Sequence, residues 1–260
     1  MANELKELTS IARRAASIAG EVVMPFFEEP LTIELKADGT PVTVADLRAE
    51  EAMRELFARE TPSFAVLGEE QGESESDGQY RWVIDPIDGT KSFIHRVPLF
   101  GTLVALEKDG KPVIGVVACH AVSETAWASQ GGGAFLNGEP TRVSAITSLK
   151  EATVLTTSPT SLQARSPEGF AKLGHQAALT RGWGDCYGYL AVVAGRAEAM
   201  IDPEVNHWDI APFPILLEEA GGRLTTWSGM DGAGKDAVAT NGLVHEALQA
   251  ILAEKEIETS

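Results

Sequence analysis

The sequence predicts a mixed α/β protein of the α+β kind, and three observations carry that prediction. Apolar residues recur at helical spacing near the amino terminus, short β-branched segments then alternate with turn residues, and beyond residue 148 strands and helices take turns. With 44% of its 260 residues hydrophobic, the chain has the apolar surface for a substantial core.

Between residues 4 and 28, Leu5, Leu8, Ile11, Ala12, Ala15, Ile18, Ala19, Val22 and Phe26 share one side of a long amphipathic helix. The Gly/Pro-punctuated loop 36–43 leads into a second helix over Val44–Glu60, which Thr61-Pro62 stops. Residues 64–68 read as a short buried strand, and the acidic, Ser/Gly-rich stretch 71–79 as an exposed loop. Strands follow at 82–84, 102–107, 112–119 and 124–128, with Lys108-Asp-Gly-Lys111 as a hairpin turn and Gly131-Gly-Gly133 as a loop between strands. Residues 1–147 therefore form two helices and an antiparallel sheet. In residues 148–260 the pattern gives a strand at 153–157, helices at 167–179 and 186–194, and a strand at 197–202. A helix at 210–220 ended by Gly221-Gly222, strands at 223–227 and Ala237–Thr240, and a last helix at 243–253 complete it. The two halves are expected to pack as one compact unit.

Charge narrows the function. The formal net charge of -17, from 38 acidic and 21 basic side chains, disfavours a nucleic-acid or anionic membrane partner. Solubility alone accounts for such a charge. An anionic substrate, however, would need bound cations to reverse the sign locally. No apolar stretch is long enough to span a bilayer, the opening Met-Ala-Asn-Glu-Leu-Lys-Glu has no signal-peptide pattern, and two cysteines, Cys119 and Cys186, are too few for a disulfide framework. A cytoplasmic location is the expectation.

Chemistry concentrates in Trp82-Val-Ile-Asp-Pro-Ile-Asp-Gly-Thr90, where an apolar strand runs into a Pro/Gly turn that brings Asp85 and Asp88 together. Two such carboxylates ionise cheaply only with a cation between them, and magnesium, a hard ion with oxygen ligands, suits them. A hydrogen-bonded turn explains the same residues, so the segment alone decides nothing. A calcium EF-hand fails, because Ile87 and Arg96 stand where ligands are required. Glu69, in Gly68-Glu-Glu70, also ends an apolar strand, and Asp209, in Trp208-Asp-Ile-Ala-Pro212, opens an apolar helix where an acid also serves as a cap.

Taken in order, Gly68-Glu-Glu70, Asp85-Pro-Ile-Asp-Gly-Thr90 and Trp208-Asp-Ile-Ala211 resemble the signature of the inositol monophosphatase superfamily, and Pro41-Val-Thr-Val-Ala-Asp46 and Glu219-Ala-Gly-Gly222 match it too. The resemblance implies a five-layered αβαβα sandwich of the inositol monophosphatase and fructose-1,6-bisphosphatase type, acting as a homodimer on a small phosphate ester. It implies two or three Mg2+ ions per site, held by Glu69, Asp85, the Ile87 carbonyl, Asp88 and Asp209, with Asp85 bridging. Gly89 and Thr90 would offer backbone N–H groups to phosphate, and Thr90 with Asp46 would orient or deprotonate the attacking water, with Glu69 beside them.

Within the superfamily, Asp85-Pro-Ile-Asp-Gly-Thr-Lys-Ser-Phe93, Pro98-Leu-Phe-Gly-Thr-Leu-Val-Ala-Leu106 and Gly184-Asp-Cys-Tyr187 are most similar to the histidinol-phosphate phosphatase branch. Asp185 and Tyr187 replace the small residues usual in inositol-specific members, and a carboxylate and an aromatic ring suit an ammonium and an imidazole. Asp185 and Asp202 are the candidates for that organic end, although Asp185 also fits as a helix cap. Inositol 1-phosphate is the alternative substrate. Nucleotide 3'-phosphatase activity would need a more basic pocket, and a non-catalytic metal-binding protein would normally have lost a ligand or Thr90. His95 and His207 read as structural or surface residues.

Overall fold

The computed structural model describes residues 2–28, 33–35, 41–75, 78–232 and 234–253. Residues 36–40 and 76–77, within two of the expected loops, lie outside the described residues.

Helix α1 (Ala2–Glu28) is followed by the antiparallel pair β1 (Ile33–Leu35) and β2 (Pro41–Thr43), and then by α2 (Val44–Glu60). A large sheet comes next: β3 (Ala65–Gly68), β4 (Gly72–Glu73), β5 (Tyr80–Asp88), a short helix α3 (Thr90–Ile94), β6 (Gly101–Lys108), β7 (Lys111–Cys119), β8 (Glu124–Ser129), β9 (Gly133–Leu136) and β10 (Glu139–Pro140). Its strand order is β10-β9-β8-β7-β6-β5-β3-β4, antiparallel except where β3 runs parallel to β5. The remaining elements are β11 (Thr153–Thr156), α4 (Pro159–Arg165), α5 (Pro167–Gln176), β12 (Leu179–Arg181), α6 (Asp185–Val193), β13 (Ala199–Asp202), α7 (His207–Ile210), α8 (Phe213–Ala220), β14 (Arg223–Thr225), β15 (Ala237–Thr240) and α9 (His245–Leu252). Their strands form a five-stranded sheet ordered β12-β11-β13-β15-β14.

Strand alternation decides how these sheets stack. On β6 and β7, Val104, Leu106, Ile114 and Val116 point into a core under α1 and α2, while Leu103, Val117 and Cys119 point the other way. That second core takes Leu190 and Val193 from α6, Leu216 and Leu217 from α8, and Met200 and Ala239 from the five-stranded sheet. Beyond this sheet, Leu162, Leu173, Leu248 and Ile251 of α4, α5 and α9 close a third core with Val154 and Ile201. The layers are therefore helix, sheet, helix, sheet, helix, as the resemblance implies.

Several bounds differ from the expectations for local reasons. The strand expected at 82–84 continues to Asp88, because the β5–β6 ladder breaks register between Asp85 and Asp88 and so does not need the N–H that Pro86 lacks. The helix expected at 210–220 is two helices, with Pro212 between them as the cap of α8. Residues 179–181, expected to end a helix, pair with β11 as a strand, and Pro159 opens a helix, α4, that the periodicity did not reveal. Gly131-Gly-Gly133 does join two strands, pinned by the Glu219 carboxylate, which accepts from the N–H groups of Gly131 and Gly133 at 2.6 and 2.7 Å.

Candidate active site

The kink in β5 builds the centre. Past Asp85 the strand leaves its register, the Ile87 N–H turns back to Asp85 Oδ1 at 2.9 Å, and the freed Pro86 carbonyl accepts from the buried Thr102 hydroxyl at 2.8 Å. Gly89 follows in the left-handed region, with φ of 83°, and the chain enters α3 at Thr90. Asp85 and Asp88 are thus delivered to the same end of the strand. Asp209 reaches them on α7, which is fastened to the large sheet by Trp208 against Val83 and Ala105 and by His207, whose Nε2 meets the buried Glu107 carboxylate at 2.8 Å. Asp85, Asp88 and Asp209 each bring a carboxylate oxygen within 4.8 Å of the others.

A cleft of about 370 Å³ opens over this cluster. Among the sequence-predicted residues, Glu69, Asp85, Ile87, Asp88, Gly89, Thr90, Asp185 and Asp209 line it. Asp46 and Asp202 do not. Asp46 is 2% exposed at the start of α2, where its Oδ2 accepts from the N–H and hydroxyl of Thr43 in a capping box. The Thr90 hydroxyl donates to the Ile87 carbonyl at 3.1 Å, so each member of the expected Asp46–Thr90 pair is engaged locally. Asp202 lines a side chamber of about 60 Å³ with Asp88, Asp185 and Asp209, and its oxygens accept from the Thr157 N–H at 3.1 Å and the Tyr189 hydroxyl at 2.8 Å. Asp209 is both cap and cluster member, since its Oδ2 accepts from the Asn206 N–H at 2.7 Å and a carboxylate has a second oxygen.

Asp185 is better placed than a cap would be. It sits at the first position of α6 with φ of 51°, its N–H donating to Thr157 Oγ1 at 2.9 Å, and its carboxylate accepts from the Ser92 hydroxyl at 3.4 Å. A Cβ on Gly89 would come within 3.2 Å of Asp185 Oδ2, so the acid lies directly beside the α3 start. Tyr187, expected near the substrate, packs instead into the core between the sheets. The aromatic residue next to the cleft is Trp183, 43% exposed and flanked by the cleft-lining Gly182 and Gly184.

Sequence reasoning did not single out Thr157 or Asn206, which also line the cleft. Their signals were available: Thr157 follows β11, and Asn206 is the cap of α7. Lys91 and Ser92, inside the quoted motif but given no role, line it too.

Electrostatics test whether a cation suits these donors. Burial, and after it the charges of Glu69, Asp88, Asp209 and Asp46, hold Asp85 well above the usual carboxylate range. Burial and then Asp185 and Asp209 do the same to Asp88. Asp209 is pushed up to about 7 by burial, with Glu69 and Asp202 adding to it and the Asn206 hydrogen bonds opposing. Asp46 and Asp185 rise to about 6, again chiefly by burial. The side-chain charges that bear most on Asp85 are all acidic, and the crowded donors are all hard oxygens; both facts fit a hard divalent cation.

The family model described as the inositol monophosphatase family matches residues 4–259. A histidinol-phosphatase of Chlorobaculum parvum is 41% identical over 230 residues, covering 86% of this chain and 89% of that protein. An inositol-1-monophosphatase of Rhizobium meliloti is 36% identical over 236 residues, covering 88% and 87%. Among solved structures, the extragenic suppressor protein suhB of Bartonella henselae superposes with a TM-score of 0.90 at 28% identity, covering 96% of this chain and 100% of its own. Matched along nearly all its length, in sequence as in layer order, the chain belongs to the inositol monophosphatase family and is a phosphoric monoester hydrolase.

Proposed function

We propose that this phosphatase is Mg2+-dependent and that its substrate is histidinol phosphate. The observation that carries the metal is the crowding of Asp85, Asp88 and Asp209, whose raised proton affinities register an unneutralised negative charge. Glu69, Asp85, the Ile87 carbonyl, Asp88 and Asp209 would hold the ions, which when bound neutralise charge on the phosphate and leaving oxygens and activate water. The chain's own groups do the rest. Backbone N–H groups at the start of α3, from Gly89 and Thr90, lack helical partners and would donate to the phosphate oxygens. Asp46, pushed up to about 6 chiefly by burial, would help orient the water with Thr90 and Glu69 from behind the cleft wall, through the oxygen that Thr43 does not hold.

Asp185 supports the choice of substrate. A carboxylate in the cleft wall, beside Gly89 and backed by Asp202, pairs with an ammonium on the leaving group more strongly than it accepts from the hydroxyls of a neutral polyol. Relatives named histidinol-phosphatase support the same reading. Inositol 1-phosphate remains the second reading, favoured by the relatives named inositol-1-monophosphatase. A cytoplasmic location and a homodimeric assembly belong to the proposal as well, and light scattering on the purified protein tests the dimer.

Rates on histidinol phosphate, inositol 1-phosphate and an adenosine bisphosphate, each measured with Mg2+ and after complete chelation, are expected to favour the first and to vanish on chelation. Asp185→Ala should raise KM for histidinol phosphate by roughly 10–100-fold, the worth of a charged hydrogen bond, and leave KM for an uncharged ester nearly unchanged. Equal effects on both esters would remove Asp185 from recognition.

A further inference from the structure

The loop that carries Glu69 is held from inside the protein by a residue that none of the motifs singled out. Glu50, on α2, is 0% exposed, a carboxylate on a buried face that, besides Asp46, is made of Ala45, Ala49, Met53, Leu56 and Phe57. Its Oε2 accepts from the Glu70 N–H at 2.9 Å and its Oε1 from the Gln71 N–H at 3.1 Å and from Arg54 Nε at 2.8 Å. Arg54 continues the grip, donating to the carbonyls of Val66 and Gly72 on either side of the same turn. On the opposite side, the Glu69 N–H donates to the Ile84 carbonyl at 3.3 Å, one residue before Asp85. Glu69 is therefore clamped between β5 and α2.

Gly68 shows how tightly the clamp is drawn. A Cβ there would sit 2.3 Å from Glu50 Oε1 and 2.5 Å from its carboxyl carbon, so a side chain at 68 would push the carboxylate off the turn. The glycine of Gly68-Glu-Glu70 thus serves Glu50 and not the substrate. Asp46 lies one helical turn before Glu50, on the same buried side of α2. One rigid helix consequently sets both the acid assigned to water and the loop assigned to metal.

We propose that Glu50 is a positioning residue, whose carboxylate fixes the 69–71 turn so that Glu69 meets the cation in a preformed place; the proposal rests on the reading of Glu69 as a metal ligand. A buried carboxylate that only stabilised the turn would lower thermal stability and leave metal affinity alone. One that preorganises a ligand raises affinity by removing the ordering cost from the binding step.

Mg2+ affinity measured by isothermal titration calorimetry on the wild type, Glu69→Gln, Glu50→Gln and the double variant decides between these. Glu69→Gln should weaken binding; an unchanged affinity would overturn the ligand assignment itself and the proposal with it. Glu50→Gln should weaken binding by roughly 10-fold, in the range of residues that orient ligands. The double variant should bind no more weakly than Glu69→Gln alone, since Glu50 acts through Glu69. A normal affinity in Glu50→Gln beside a weakened Glu69→Gln would overturn the positioning role while leaving the ligand reading intact, as would full additivity in the double variant. If Glu50→Gln does not fold, Glu50→Asp, which keeps the charge and withdraws it from the turn, takes its place with the same outcomes.

Discussion

Asp88→Asn is expected to lower kcat/KM by roughly 10³-fold, equivalent to about 4 kcal/mol of lost transition-state stabilisation, and to make the metal-free protein more stable. The two effects have one cause. Burial, and after it the charges of Asp185 and Asp209, oppose the ionisation of Asp88, so without a cation folding must take up a proton that the unfolded chain releases, at a cost in stability. An asparagine oxygen still accepts the Cys186 N–H that Asp88 Oδ2 accepts, so the packing survives while the group that must be protonated on folding disappears. Each kcal/mol of relief appears as a rise of about 2–4 °C in the metal-free Tm for a chain of this size. Calorimetry in the presence of a chelator, set beside steady-state kinetics with Mg2+, measures both. A variant that loses activity and also loses stability would show that Asp88 acts as a structural residue.

The second large effect is an inverted pH dependence. Metal-free protein should lose stability as the pH rises from about 4.5 to 7.5, by an amount on the order of a few kcal/mol, and excess Mg2+ should remove the slope. Asp209, raised to about 7, and Asp85 and Asp88, raised well above the ordinary range, keep protons in the folded state that the unfolded chain has already released. The folded state binds more protons, so raising the pH favours unfolding until these groups have ionised. Asp46 and Asp185, at about 6, add to the trend at its lower end. Below 6.5 the trend is opposed by His120, which burial lowers to about 4, and by His245, which burial also lowers. These histidines are neutral when folded and charged when unfolded, so they stabilise the protein as pH rises towards 6.5. Lower still, Glu107 contributes ordinary acid lability, because hydrogen bonds from His207 and Arg81 outweigh its burial and hold it below the usual range. Urea titrations at pH 5.5, 6.5 and 7.5, with chelator or with Mg2+, read the slope. A chelated protein equally stable at all three would contradict the raised proton affinities.

Elements that bury one face were readable from the sequence, and elements made by their neighbours were not. Helices α1 and α2 and strands β6, β7 and β8 announce themselves through their own periodicity, and each is found within a few residues of its expected bounds. Residues 179–181 carry no such signal, since Leu179-Thr-Arg181 becomes a strand only by lying against Thr153–Leu155. Strand β5 was shortened because Pro86 argues against a ladder, and only the partner strand shows where the ladder skips. The candidate site divides in the same way. Asp85, Asp88, Asp209 and Glu69 lie in motifs whose turns put acids at strand or helix ends, and the cleft contains all four. Asp202 lies behind the cleft and Tyr187 away from it, because residues two apart on a helix face different sides and Asp185 takes the open one. Glu50 was invisible for a different reason: a glutamate in mid-helix is an ordinary surface residue until a glycine beyond the end of its helix, Gly68, folds against it and makes room for its carboxylate.

The carboxylates that meet at the cleft are contributed in the order Glu69, Asp85, Asp88 and, much later, Asp209, which the chain supplies only after most of the five-stranded sheet has been laid down. During synthesis, a ribosome-bound polypeptide stalled before α7 has its kinked strand and glutamate turn but lacks the last acid. Such a nascent chain has the repulsion of Glu69 and Asp88 on Asp85 but lacks the part that Asp209 adds. On the proposed reading, the last of the carboxylates for the cation would come only with α7, so metal binding would follow the making of most of the second sheet.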